Sequence, residues 1–238
     1  GLTDILEIKK TGSGDTVITN SGIDIGIPYR QNICYQAWEQ VNRRYDIPQI
    51  AIHLHKIIPF GSGLGGGSAD AAFMLKALNK MFDLNMEKAE IHEMAGELGS
   101  DCPFFIDNVP AFVWGKGNRM EPIHLDLQGH YLVVVVPPIH IATSEAYKNI
   151  TPGHRQLSLR KLIQDTPMQE WHNMIINDFE AGLLEDHPGL KEIKDKLYDL
   201  GAVYASLSGS GSSMYGIFKE KPEPGDHFSS SFVWTGRL

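Results

Sequence analysis

Pro59-Phe60-Gly61-Ser62-Gly63-Leu64-Gly65-Gly66-Gly67-Ser68-Ala69-Asp70-Ala71-Ala72 decides how this chain is read. Five of the seven residues from Gly61 to Gly67 are glycine, and a run of helix formers follows Ser68. Upstream, Ile50-Ala51-Ile52-His53-Leu54-His55 alternates as a strand, with Ile50, Ile52 and Leu54 on one face. From Ser68 to Phe82, Ala69, Ala72, Phe73, Leu75, Ala77 and Leu78 combine helix propensity with an apolar stripe. A glycine-rich turn between strand and helix presents successive backbone N–H groups at a helix start, where the dipole adds about half a positive charge. Glycine suits it because a Cβ would hold a phosphate off the amides, and because some positions need φ > 0. The stretch reads as an anion cradle, with Ser68 able to cap the helix or reach a phosphate or Mg2+. The plainer alternative is a flexible loop with Ser68 as an N-cap.

Gly61-Ser62-Gly63-Leu64-Gly65-Gly66 formally satisfies G-x-G-x-x-G. A dinucleotide fold would also need a strand ending in an acidic residue about 20 positions on, and Asp83 falls at the end of a helix instead. No Lys-Ser/Thr pair follows the glycines, which excludes a Walker loop, and a protein-kinase loop lies between two strands.

The chain has 238 residues, enough for one large domain or two small ones, and 42% of them are hydrophobic, ample for a core. Its formal net charge of −8 argues against a nucleic-acid partner, which requires a basic footprint. It does not argue against phosphate, because local amides bind anions inside acidic proteins. No apolar run approaches ~18 residues and no signal peptide stands at the start, so no membrane association is expected. Cys34 and Cys102 are far apart in apolar contexts, which suits a reducing, cytoplasmic compartment rather than a disulfide framework. The sequence sets no oligomeric state.

In chain order, Ile5–Ile8 is a strand, Thr11–Asp15 a turn, and Thr16–Thr19 begins the return strand. Ile33, Ala37, Trp38 and Val41 make a helix of Gln31–Arg44. Asn85–Leu98 is a helix stopped by Gly99, and Ser100–Ile106 a loop and extended segment. Ala111–Trp114 and Arg119–Ile123 pair across Gly115-Lys116-Gly117. Tyr131–Val136 is a buried strand. Helices follow at Ser144–Tyr147, Leu157–Asp165 and Met168–Leu183, the last holding Asn177-Asp178-Phe179-Glu180, and another runs from His187-Pro188 to Leu200. Gly201–Leu207 and Met214–Phe218 are strands around a second Gly/Ser loop, Ser208–Ser213, and Ser231–Trp234 is a final edge strand. The texture changes near residue 130, giving two α+β halves, 1–129 and 130–238.

Pro59-x-x-x-Gly63-Leu64-Gly65-Gly66-Gly67-Ser68-Ala69-Asp70-Ala71-Ala72 closely resembles the second motif of the GHMP kinases, the superfamily of galactokinase, homoserine kinase and mevalonate kinase. Leu98-Gly99-Ser100-Asp101-Cys102-Pro103-Phe104-Phe105, Gly115-Lys116-Gly117, Asn177-Asp178-Phe179-Glu180 and Leu207-Ser208-Gly209-Ser210-Gly211 are similar to further motifs of one branch. That branch phosphorylates the 2-hydroxyl of a diphosphocytidyl-methylerythritol in the non-mevalonate isoprenoid route. Asn118 stands where the branch usually has Glu. The resemblance implies an α+β, two-domain GHMP kinase fold, with an S5-domain-2-like N-terminal half that binds ATP and a ferredoxin-like C-terminal half. It implies an ATP-dependent small-molecule kinase using Mg2+, with no dedicated protein metal site. A homoserine- or mevalonate-type kinase, or a catalytically silent nucleotide binder, stays open beside it.

By residue type alone Asp101 is either a carboxylate that deprotonates a substrate hydroxyl or a turn cap before Pro103. The resemblance implies the catalytic base. It implies that Pro59, Gly61, Ser62, Gly63, Leu64, Gly65, Gly66, Gly67, Ser68 and Ala69 hold the triphosphate. Lys56 is implied as an ATP contact, against an exposed strand-end lysine, and Asn32 lies near the adenine, against a helix N-cap. Gly209, Ser210 and Gly211 are implied on the substrate side, or simply make a tight turn on the first loop. His53 and His55 share a strand face but lack a third ligand, and Cys102 reads as a small buried hydrophobe rather than a nucleophile. The family opens with a P-x-A-K-I-N-L segment and a D-G-Y/F-H stretch, credited with a catalytic-site Lys and contacts to the cytidine head. Neither stands in this sequence. The expectation is an N-terminally truncated chain, inactive as written, of an enzyme active when intact.

Overall fold

The computed structural model describes residues 1–12, 14–115, 117, 119–148, 150 and 158–238. Lys116, Asn118 and Leu157, on which parts of the sequence reading fall, lie outside the described residues. Contacts divide the chain into two compact units: Leu2–Phe60 with Gly65–Ile123, and Gly1 with Gly61–Leu64 and His124–Leu238. Among the described residues no helix is long and apolar enough to cross a membrane.

The first unit is built on a three-stranded sheet, β1 (Ile5–Lys10), β2 (Val17–Gly22) and β3 (Ile50–Lys56), in the order β1-β3-β2. β3 runs antiparallel to β1 and parallel to β2. The parallel pair needs a crossover, supplied by α1 (Ile33–Tyr45). Expected as a returning hairpin partner of β1, β2 is instead separated from it, because β3 comes back from the crossover between them. α1 starts at Asn32, whose side chain accepts from the Cys34 N–H, and ends at Asp46 in the left-handed conformation. β3 alternates strictly, with Ile50, Ile52, Leu54 and Lys56 facing inward.

α2 (Gly66–Met81), α3 (Lys88–Leu98), α4 (Cys102–Asp107) and the hairpin β4 (Ala111–Trp114)–β5 (Arg119–Pro122) complete this unit. Ala71, Ala72, Met74, Leu75 and Leu78 of α2 pack with Trp38 and Val41 of α1, Ile52 and Leu54 of β3, and Met94 of α3. Truncating Leu75 to Ala there costs about 2–5 kcal/mol by transfer and cavity terms. Two expectations are corrected. The segment after Ser100 is a short helix rather than extended, because Pro103 sits in its first turn, where a missing N–H costs nothing. Ser68 is not the N-cap of its helix. Gly65 takes that position with φ 70°, so α2 begins at Gly66 and Ser68 is its third residue.

The second unit carries a four-stranded antiparallel sheet, β6 (Tyr131–Val136), β7 (Tyr204–Leu207), β8 (Met214–Phe218) and β9 (Phe232–Arg237), in the order β7-β8-β6-β9. Its helices are α5 (Thr143–Lys148), α6 (Leu159–Asp165), α7 (Trp171–Met174), α8 (Glu180–Asp186) and α9 (Pro188–Asp199). Val133 and Val135 bury one face of β6 against Leu183 of α8 and Leu190 and Leu197 of α9. The opposite face carries Leu132, Tyr204 and Ile217 under Trp171, so β6 is apolar on both sides. The expected long helix Met168–Leu183 is broken. The Asn177 Oδ1 accepts from the Phe179 N–H at 3.0 Å, so Asn177–Phe179 is a turn ahead of α8. Asparagine competes with helical hydrogen bonds in this way.

Candidate active site

The glycine stretch divides between the two units at Leu64 and Gly65, and each half is organised by its own unit. In the second unit, Gly61 and Gly63 take φ 67° and 79°, conformations open to glycine. The Ser62 carbonyl accepts from the Ser213 N–H at 3.0 Å, and the Gly63 carbonyl from the Ser208 hydroxyl at 2.9 Å. A Cβ on Gly63 would stand 2.3 Å from the Ser208 carbonyl oxygen and 2.7 Å from that of Gly211. Residues 61–64 are thus nested against the β7–β8 loop, backbone on backbone. In that loop Gly209 and Gly211 also have positive φ, Gly209 is exposed, Ser210 half-buried and Gly211 buried.

Two residues hold that second loop. Asn177 donates from Nδ2 to the carbonyls of Leu207 (2.9 Å) and Gly209 (2.8 Å). Glu180, only 3% exposed, accepts on Oε1 from the Leu207 N–H (2.7 Å) and the Ser206 hydroxyl (3.0 Å), and on Oε2 from Lys194 (2.5 Å). The sequence marks these two as a motif. Their work, fixing a loop some thirty residues downstream, is tertiary and has no local signature.

In the first unit, Gly65 caps α2 and its carbonyl accepts from the Ala69 N–H at 2.9 Å. The amides of Gly66, Gly67 and Ser68 therefore precede the first intrahelical bond and are the donors a helix start leaves over. A Cβ on Gly65 would meet Phe105 at 2.8 Å, and one on Gly66 would meet Ile58 at 2.9 Å. Beside Gly67 nothing lies within 4 Å. Gly65 and Gly66 are crowded by neighbouring side chains, and Gly67 fronts open space.

Cys102 is fully buried, and burial is the chief cause that raises its thiol pKa. Asp101, next in the chain, occupies the cap position of α4, yet its side chain caps nothing. It is exposed, and Oδ1 accepts from the Ser100 hydroxyl at 3.2 Å.

Asn32 is 2% exposed; its Oδ1 caps α1, and its Nδ2 has no partner among the described residues. Lys56 is not an exposed strand-end lysine. It is 2% exposed, with its ammonium between Asp4 (2.5 Å) and Asp70 (2.8 Å). Phe60 is exposed beside Pro59. Both ring nitrogens of His53, to Thr19 and Ser21, and Nδ1 of His55, to Ser21, are hydrogen-bonded to hydroxyls. Among the described residues no three His, Cys, Asp or Glu side chains gather to hold a metal.

The GHMP kinases N terminal domain matches residues 32–116, and the GHMP kinases C terminal domain residues 159–226. The chain is 45% identical over 240 residues to 4-diphosphocytidyl-2-C-methyl-D-erythritol kinase of Parabacteroides distasonis, covering 100% of this chain and 87% of that protein. The kinase of the same name from Bacteroides thetaiotaomicron is 42% identical over 242 residues, at 100% and 88% coverage. Among solved structures, a 4-(cytidine 5'-diphospho)-2C-methyl-D-erythritol kinase superposes with TM-score 0.80 at 26% identity, covering 99% of this chain and 85% of that one. Homoserine kinase from Cytophaga hutchinsonii shares the fold, with TM-score 0.71 at 20% identity over 99% and 86% of the two chains. With its α+β halves matched in order and relatives this similar over its whole length, the chain belongs to the GHMP kinase family.

Proposed function

We propose that the protein transfers the γ-phosphate of ATP to the 2-hydroxyl of 4-diphosphocytidyl-2-C-methyl-D-erythritol, a step in isoprenoid precursor synthesis. The observation that carries the chemistry is that the first unit leaves the Gly66–Ser68 amides ahead of the first intrahelical bond of α2 and holds an exposed Asp101 carboxylate at the start of α4. Similarity to kinases named for that substrate supports its identity.

In this reading Asp101 takes the proton of the acceptor hydroxyl. The oxygen attacks the γ-phosphorus, the bond to the β,γ-bridging oxygen breaks, and ADP leaves. Such transfers are dominated by positioning and by charge stabilisation at the phosphoryl oxygens. Residues 59–69 cradle the triphosphate: the amides of Gly66, Gly67 and Ser68 donate to it, and Gly67 leaves it room. The unpartnered Nδ2 of Asn32 suits an acceptor on the adenine. Gly209, Ser210 and Gly211 serve the acceptor substrate. Mg2+ bound with the nucleotide would neutralise charge on its phosphates. We assign the nucleotide half to residues 1–129 and the second domain to 130–238. The enzyme acts on a small molecule in the cytoplasm, where its two free, buried cysteines stay reduced.

The test is a coupled ADP-release assay on the protein as its gene encodes it, run against the cytidyl substrate, homoserine and mevalonate. Turnover with the cytidyl compound alone is expected. Turnover with homoserine or mevalonate instead, or with none of the three, refutes the assignment.

A further inference from the structure

Lys56 ends the strand that leads into the glycine stretch, and the segment ahead of β1 and helix α2 both converge on it. Its Nζ lies 2.5 Å from Asp4 Oδ2, ahead of β1, and 2.8 Å from Asp70 Oδ2, in α2. Asp4 Oδ1 in turn accepts from the N–H groups of Ile57 (2.6 Å) and Ile58 (2.8 Å), where the chain leaves β3 for the loop. Asp70 stands four residues after Gly66, on the same face of the helix. A Cβ built on Gly66 would lie 3.1 Å from Lys56 Nζ, so the ammonium rests against the first residue of α2. All three charged side chains are nearly buried, at 2%, 5% and 7% exposure for Lys56, Asp4 and Asp70.

One carboxylate would neutralise one ammonium. The second leaves a buried negative charge in excess, which a fold optimised for stability alone avoids. Burial and the neighbouring Asp4 charge push the Asp70 carboxyl up to about 6, against the pull of Lys56. Burial also acts on Asp4, but Lys56 and the amides of Ile58 and Ile57 outweigh it and hold that carboxyl below its ordinary value. The other titratable group coupled to the cluster is Cys34 of α1, whose thiol burial drives far up, so it stays neutral. Asp70 is therefore the member that changes charge near neutral pH. Its cost is localised on the helix that carries the donor amides.

We infer that Lys56 and Asp70 are positioning residues for the nucleotide rather than contacts to it: ionised Asp70 draws the Lys56 ammonium against Gly66 and fixes the direction of the first α2 amides. With two of its donors spent on carboxylates and almost no exposure, Lys56 acts through the helix backbone. The consequence is an affinity for ATP that depends on one buried proton. Neutral Asp70 keeps the fold and relaxes the turn. This inference rests on the kinase reading above.

The experiment is titration calorimetry of a non-hydrolysable ATP analogue with the full protein, wild type and Asp70→Asn, from pH 5 to pH 8, with melting curves to establish that both are folded. Asp70→Asn mimics the protonated side chain in shape. Wild type is expected to weaken about tenfold between pH 7.5 and pH 5, the scale of one charge-assisted hydrogen bond. Asp70→Asn is expected to bind about tenfold more weakly than wild type at pH 7.5 and to lack that step. The analogue's own phosphate titration is common to both proteins and cancels. In turnover the defect falls on KM for ATP rather than on kcat at saturation, and Asp70→Glu restores part of it. An Asp70→Asn protein that matches wild type at pH 7.5, or keeps the same pH step, overturns the inference while leaving the kinase reading intact. No nucleotide binding by wild type at any pH overturns both.

Discussion

Replacing Glu180 tests whether the second Gly/Ser loop is held from beneath. Its Oε1 takes both the Leu207 N–H and the Ser206 hydroxyl, and its Oε2 takes Lys194. Glu180→Ala strands two buried donors, each costing about 1–3 kcal/mol, and the lost packing brings the total to about 3–5 kcal/mol. Lys194 is partly exposed and turns to water, adding little. Glu180→Gln keeps a carbonyl oxygen for the two buried donors and sacrifices only the contact to Lys194, so it costs about 1 kcal/mol. The assay is urea unfolding followed by tryptophan fluorescence, Trp171 and Trp234 reporting on this unit. The loop it supports includes Gly209 to Gly211, so KM for the acceptor substrate should rise with the loss of stability. A loss below 1 kcal/mol in Glu180→Ala, or a Gln variant as unstable as the Ala variant, refutes the reasoning.

Asp101→Asn is expected to lower kcat by about 10²–10⁴, the range for a general base, with analogue binding unchanged in calorimetry. Gly67→Ala should leave the melting temperature unaltered, since its Cβ meets nothing within 4 Å, yet weaken nucleotide binding. Gly63→Ala should cost stability as well, its Cβ falling 2.3 Å from a carbonyl oxygen at φ 79°. Because folded Asp70 binds its proton more tightly than the unfolded chain does, stability should fall as pH rises from about 4 to about 6, by at most about 3 kcal/mol. Chemical unfolding at pH 4.5 and pH 7, with Asp70→Asn as the control lacking that slope, reads it. Cys34 and Cys102, both fully buried with thiols raised by burial, should resist a thiol reagent until urea unfolds the chain.

The glycine stretch was legible because its signals are local: period two before it, an alanine-rich stripe after it, and glycine between. The start of α2 was misplaced by two residues because Gly65, without a side chain to bond, serves as its cap in place of Ser68. α4 was hidden by Pro103, which marks a turn and a first helical turn equally well. β2 was paired with the wrong neighbour, since nothing in Thr16–Thr19 records that β3 will enter between it and β1. The site's supports were the least legible. Lys56 meets Asp4 across 52 positions and Asp70 across 14, and a lone lysine at a strand end carries no mark of either.

The hydroxyl of Ser208 reaches the Gly63 carbonyl across 145 positions of chain. Such a contact can form only after the later residue has left the ribosome, and at about 5–20 residues per second that is about 7–30 s after Gly63 is made. Through that interval the nascent chain carries residues 61–64 without their partners, while the strand, helix and core on either side draw on nothing beyond Ile123. The order of synthesis thus leaves residues 61–64 unshaped until the second loop is made. A chain stalled before residue 208 would have a folded core and an unshaped loop, and translation pauses upstream of that point should lengthen its exposure to proteases at those glycines.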